Sequence, residues 1–212
     1  MRRSIFLRLA GVIAGLMALI SSCSNNPGYV IVGSGTRYVN DVRGPQTVTL
    51  PDNSRVLLMY GTVITLPKEF GKEGRDVDID GEGVFLVRTS ASKEAGASGA
   101  SGVPGGMWGK PFVVHTGNLV IGVLDTAGQV RSGYGAIFAV SAIRKQAGEE
   151  TDLLHGRLRV TKSYHSDTDS LPEELTTGDM VMINREIDLM EKEKMTGPEE
   201  DKVKAKFHLA PF

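Results

Sequence analysis

Asp76-Val77-Asp78-Ile79-Asp80-Gly81 opens with the acid spacing of a calcium loop. Carboxylates at alternate positions could give a divalent cation hard oxygen ligands. The twelfth position, where a bidentate glutamate would complete the shell, is Val87, and apolar residues fill the second and fourth. Strict alternation of acid and aliphatic reads instead as a strand with one solvated face. His115, His155, His165 and His208 do not pair at metal-ligand spacing. Gly33-Ser34-Gly35 begins like a dinucleotide loop, but Tyr38 stands at the third glycine position and no helical pattern follows, so a turn is expected. No G-x-S-x-G elbow occurs, and no spacing among the 25 acids selects a pair for acid–base work. No catalytic residue, metal or cofactor is therefore expected, and the protein is read as a non-enzyme.

Cys23, the single cysteine, carries different chemistry. Arg2 and Arg3 precede an uncharged core from Leu9 to Ile20, and Ser21-Ser22 lead into the cysteine. A core of 12 residues suits a signal peptide and is short of a bilayer span. Residues 1–22 are expected to be a lipoprotein signal peptide, with Cys23 lipidated. An ordinary secretory signal and a retained anchor are the alternatives. Ser24 after the cysteine favours the outer membrane, facing the periplasm. Loss of Arg2, Arg3 and Arg8 would change 24 basic against 25 acidic residues to 21 against 25, a net charge of -4. That balance lacks the basic footprint of a nucleic-acid binder. With no disulfide possible, burial must stabilise the domain.

The pattern that would position any site is β. Thr47 to Leu50 and Arg55 to Tyr60 flank Pro51-Asp52-Asn53-Ser54, a turn in which Asn53 can take a left-handed conformation. Tyr29–Val32, Thr62–Leu66, Asp76–Asp80, Val84–Val87, Phe112–Thr116, Leu119–Leu124, Ala136–Ile143, Arg157–Thr161 and Met180–Ile183 read as further strands, with a tight turn at Gly117-Asn118. Residues 23–43 are a lipidated start and spacer. Ser90 to Gly109 is an Ala/Gly/Ser-rich excursion ending near Trp108, the one tryptophan. Trp108 either packs back on the sheet or offers a partner an aromatic contact, and Asp125 to Gly133 is a second excursion. Residues 185–212 read as a helical or mobile tail. Asn184 would cap a helix holding the pair Asp188–Lys192, and a second would start at Pro198 with Val203 and Phe207 on one face.

Several segments in order resemble the periplasmic domain of the FecR family. They are Thr47-Val48-Thr49-Leu50-Pro51-Asp52-Asn53-Ser54-Arg55-Val56, Gly81-Glu82-Gly83-Val84-Phe85-Leu86-Val87 and Pro111-Phe112-Val113-Val114-His115-Thr116-Gly117-Asn118-Leu119. Phe138-Ala139-Val140, His155-Gly156-Arg157-Leu158-Arg159-Val160 and Leu175-Thr176-Thr177-Gly178-Asp179 follow. The resemblance covers residues 44–184. It implies an all-β, two-layer, solenoid-like domain and a place in signalling between an outer-membrane transporter and a sigma factor. Cleavage at Cys23 would leave nothing cytoplasmic, so contact with an envelope protein, a transporter or regulator, is expected rather than binding of a sigma factor. Trp108 and His115 are the candidate contacts, although His115 also fits an ordinary strand position. A structural or assembly lipoprotein on the same scaffold is the alternative.

Overall fold

The computed structural model describes residues 28–32, 35–72, 74–89, 110–124, 131, 133–168 and 171–209. Fourteen strands and one helix occur among them. In chain order the strands are β1 (Gly28–Val32), β2 (Gly35–Val39), β3 (Gln46–Thr49), β4 (Arg55–Leu58), β5 (Val63–Pro67), β6 (Arg75–Val87) and β7 (Phe112–His115). There follow β8 (Leu119–Val123), β9 (Ala136–Ala142), β10 (Gly148–His155), β11 (Arg157–Lys162), β12 (Glu173–Thr176), β13 (Asp179–Asn184) and β14 (Leu189–Lys194), then helix α1 (Gly197–Lys206).

They form two layers that share β6. The first runs β1-β2-β5-β6-β7-β8-β11-β12, the second β3-β4-β6-β9-β10-β13-β14. Only β6–β7 is parallel. The class is all-β, as expected. Within each layer the strands run mostly as antiparallel meanders, so the likeness to a solenoid extends only to short strands shuttling between two layers.

Asp76–Asp80 and Val84–Val87 are one 13-residue strand, not two strands around a turn. Gly81 makes this possible. Its φ is 125°, and a Cβ there would lie 2.6 to 2.9 Å from Thr62 atoms. Thr62 Oγ1 accepts from Glu82 N at 2.9 Å and donates to Glu82 O at 2.8 Å, pinning the bend. The strand thus leaves one layer at Asp80 and enters the other at Gly81. Asp76, Asp78 and Asp80 point away from the core while Val77 and Ile79 enter it.

The main core lies between the layers. Phe85 and Phe138 of the second stack at 5.2 Å, and Phe112 of the first meets Phe85 edge-on at 6.3 Å. Asn53 takes φ 60° in the β3–β4 turn, as expected. Beneath that turn, Asp52 Oδ2 accepts from Arg75 Nη1 at 2.9 Å, both side chains being almost fully buried. Arg75 also donates to Arg88 O and Lys110 O, at 2.7 and 3.0 Å. Burial lowers its pKa, against the pull of Asp52. One guanidinium thereby ties together the turn, the end of β6 and the approach to β7.

The sheet extends past both ends of 44–184. β2 pairs with β5, and β14 pairs with β13 where a helix from Asn184 was expected. The register Ile183↔Met190 buries Met190 in the main core, which outweighs the small i,i+4 gain of Asp188–Lys192. Asp188 instead sits in the turn at φ 50°. The second expected helix is α1. Glu199 Oε2 accepts from Thr196 N and Oγ1 at 2.7 and 2.9 Å at its start, and Phe207 beyond its end packs with Val84, Ile137 and Leu154 on the outer face of the second layer.

Candidate functional site

Four connections meet at one end of the sandwich: the β7–β8, β9–β10, β11–β12 and β13–β14 loops. Two polar nodes hold them.

The first node is Glu149, the second residue of β10 and 4% exposed. Its carboxylate lies in the cup of the β7–β8 turn. It accepts from Thr116 Oγ1, from Asn118 N at 3.1 Å and from Asn118 Nδ2 at 3.0 Å, with Gly117 N also donating. Burial pushes its pKa up, and these donors pull against that shift. With its oxygens occupied, Glu149 acts as a strut between layers, not as a free base. This gives Thr116-Gly117-Asn118 a physical reason: a hydroxyl, a residue without Cβ and an amide are what the cup needs. A Cβ on Gly117 would come within 2.8 Å of Glu149 Oε1.

The second node is Asp188. Its carboxylate accepts from Lys162 Nζ at 2.9 Å, Tyr164 OH at 3.2 Å, Ser166 Oγ at 2.8 Å and Thr168 Oγ1 at 2.7 Å. Hydrogen bonds from Lys162, Thr168 and Ser166 hold it well below the usual carboxylate range. Lys162 is itself almost fully buried and also donates to Asp188 O and Ser166 Oγ. The node clips the β11–β12 loop to the β13–β14 turn.

Between these nodes lies a groove of about 780 Å³, bordered by Asn118, Gln146, Arg144, Lys145, Arg185 and Glu186 among others. The Arg185 guanidinium lies 5.0 Å from the centre of the Tyr164 ring. Arg144 reaches Asp80 only loosely, at 3.8 Å, while Lys145 and Arg185 form no ion pair among the described residues. The rim therefore carries three cations against one exposed acid, Glu186. Such a surface can take up carboxylates of a partner; exposed cations of this kind contribute mainly to steering and specificity.

His115 closes β7 beside Thr116, so it lies at this same end. Its side chain is 36% exposed, with Nε2 3.0 Å from Asp76 Oδ1. Cys23 and Trp108 lie outside the described residues, as does most of 125–133. Sequence reading singled out His115 but missed Glu149, Asp188, Arg144, Lys145 and Arg185. The usable signal was the turn Thr116-Gly117-Asn118, whose demanding residue types imply an acceptor from elsewhere. No candidate cluster of metal-ligating side chains occurs among the described residues.

No family model matches the chain, and no curated protein matches it. Two crystal structures of a proposed anti-sigma factor from Parabacteroides distasonis ATCC 8503, at 2.50 and 1.65 Å resolution, are similar to it in fold. The TM-scores are 0.58 and 0.57, each at 23% identity. The matches cover 81% and 80% of this chain, but 63% of each of those chains. The likeness bears on the fold.

Proposed function

We propose that the protein is a non-enzymatic binding module of the cell envelope that modulates signalling by contact with another envelope protein, a transporter or regulator. Lipid on Cys23 would tether it, facing the periplasm from the outer membrane. The observation that carries the reading is the turn-end groove, where Arg144, Lys145 and Arg185 converge on a frame locked by Glu149 and Asp188. A rigid frame bearing loops at one end is a common design for binding surfaces. The order of segments resembling FecR domains and the fold likeness to a proposed anti-sigma factor support a regulatory role. The partner face expected is acidic.

The test is site-specific photocrosslinking in intact cells, using the acylated protein with the photoreactive residue at position 145 or 185. A transporter or regulator captured from these positions, and lost in a Lys145→Glu, Arg185→Glu variant that still folds, is the expected result. Capture only of structural envelope proteins or of copies of this chain would refute the signalling role. A Cys23→Ser variant should leave the membrane fraction; retention there would refute the lipid tether.

A further inference from the structure

The large apolar side chains that stand exposed among the described residues gather at one end of the sandwich. They are Val42, Tyr60, Leu171, Ile187 and Leu189, between 42 and 74% exposed. Val42 lies on the β2–β3 connection, Tyr60 on β4–β5, Leu171 on β11–β12, and Ile187 and Leu189 at the β13–β14 turn. All of these connections lie at the turn end. The described connections of the opposite end carry no such side chain. Apolar side chains gathered in this way mark a contact surface.

The frame holds them out. Asn40, fully buried, donates from Nδ2 to Gly44 O and Leu58 O at 2.8 Å each, and its Oδ1 accepts from Val42 N at 3.1 Å. Gly61 N donates to Asn40 O at 2.8 Å. One residue thus locks the loops bearing Val42 and Tyr60. Ile187 and Leu189 flank Asp188, whose node also clips the loop bearing Leu171. Arg43, Arg144, Lys145 and Arg185 stand exposed among these tips, against the exposed acids Asp41, Asp167 and Glu186.

The chain also enters the domain at this end. Gly28, Val39, Val63 and Asp80 align in one cross-strand row, and Arg144 N donates to Asp80 Oδ1 at 3.0 Å. Cys23 precedes Gly28 by five residues, a reach of at most about 18 Å. Lipid on Cys23 would hold the turn end against the bilayer. We propose that the turn end docks on a phospholipid bilayer surface. The apolar tips enter the boundary between headgroups and acyl chains, and the cations reach lipid phosphates. Lipid is favoured over a single protein groove because the tips rise from four separate connections and the tether ends beside them. Tyr60 suits such a boundary, with an apolar ring and a polar tip. Burial of apolar surface carries the contact, and the slight excess of cations adds attraction to anionic lipid. The orientation rests on the lipid tether of the proposed function. The turn-end groove then opens beside the membrane, where a membrane-seated partner meets it.

The experiment places an environment-sensitive fluorophore at single positions of the acylated protein in vesicles of phosphatidylethanolamine and phosphatidylglycerol. Cys23 is the single native cysteine and would hold the lipid, so Ile187→Cys, Tyr60→Cys or Lys72→Cys takes the label alone. Lys72 is exposed on the β5–β6 loop at the opposite end. Labels at 187 and 60 should shift to the blue and lose emission to a nitroxide carried on the lipid, while the label at 72 does neither. Labels at 187 and 60 that behave like the one at 72 would overturn the proposal. So would a blue shift at 187 that requires an added partner protein, which would assign the tips to a protein contact. Partner crosslinks from 145 or 185 without quenching at 187 would sink this proposal alone. Quenching without such crosslinks would support it and sink the signalling reading alone.

Discussion

Asp152→Asn should make the protein more stable, and the gain should depend on pH in a defined way. The native carboxyl is raised from its ordinary 3.8 to about 7 by burial and by the neighbouring Glu150. The folded state therefore binds a proton more tightly than the unfolded chain. Its contribution is fully favourable below about pH 4, declines as pH rises through about 7, and is constant above that. At about 1.4 kcal/mol per tenfold change in proton affinity, ionising this group costs at most about 4 kcal/mol. Water entering the cavity that Asp152 lines would relax this, so about 2–4 kcal/mol is expected. Asparagine keeps the shape and cannot ionise. For a domain of this size each kcal/mol corresponds to about 2–4 °C, so Tm should rise by about 4–16 °C near pH 8. Near pH 4 the variant and native protein should melt together. Thermal unfolding across this range by far-ultraviolet circular dichroism supplies the comparison. Parallel curves, with the same difference at both ends, would refute the reasoning: the substitution would then act through packing, not ionisation.

Asp188→Asn tolerates the left-handed turn but removes the charge that Lys162 requires, so melting temperature should drop at neutral pH. Because the native carboxyl is held below its usual range, that deficit should shrink as acid protonates it, and proteolysis should quicken in the 163–172 loop. Arg75→Met takes away the guanidinium that neutralises the buried Asp52, which should cost about 3–5 kcal/mol in urea unfolding. Gly81→Val combines a β-branched residue at φ 125° with contacts below 3 Å to Thr62, and should yield little folded protein on expression. Glu149→Ala deprives the β7–β8 turn of its acceptor; amide exchange at Gly117 and Asn118 should accelerate well above that in β9.

What was legible in the sequence depended on locality. The β3–β4 turn could be read because Pro51 and Asn53 satisfy its backbone demands themselves, and β7–β8 because its turn residues are compact. β6 could not be read as one strand. Gly81-Glu82-Gly83 looks like a turn until Thr62, from another strand, is known to bond both sides of Glu82. β10 escaped notice because its first half, Glu149-Glu150-Thr151-Asp152, is polar. Glu149 faces inward on donors from the β7–β8 turn, while Asp152 lies on the outer face against Glu150. β14 hid behind charge alternation that suits a helix equally well. The turn-end cations come from connections far apart in sequence, and only the layer order brings them together.

Most polar residues here that resemble chemistry are occupied by the join between layers. Asp76, Asp78 and Asp80 face outward because β6 must bury Val77 and Ile79 before it crosses over. Asp52 and Arg75 neutralise each other beneath the crossing strand, Glu149 fills a turn, and Asp188 saturates its oxygens on four side chains. Each gains its stabilisation inside the fold and has little left to offer a ligand. Once these are set aside, the cations of Lys145 and Arg185 at the turn end stand out as weakly compensated. Charge reversal at Lys145 and Arg185 together, with the fold intact, should weaken partner capture. Unchanged capture would show that the turn end is not the contact.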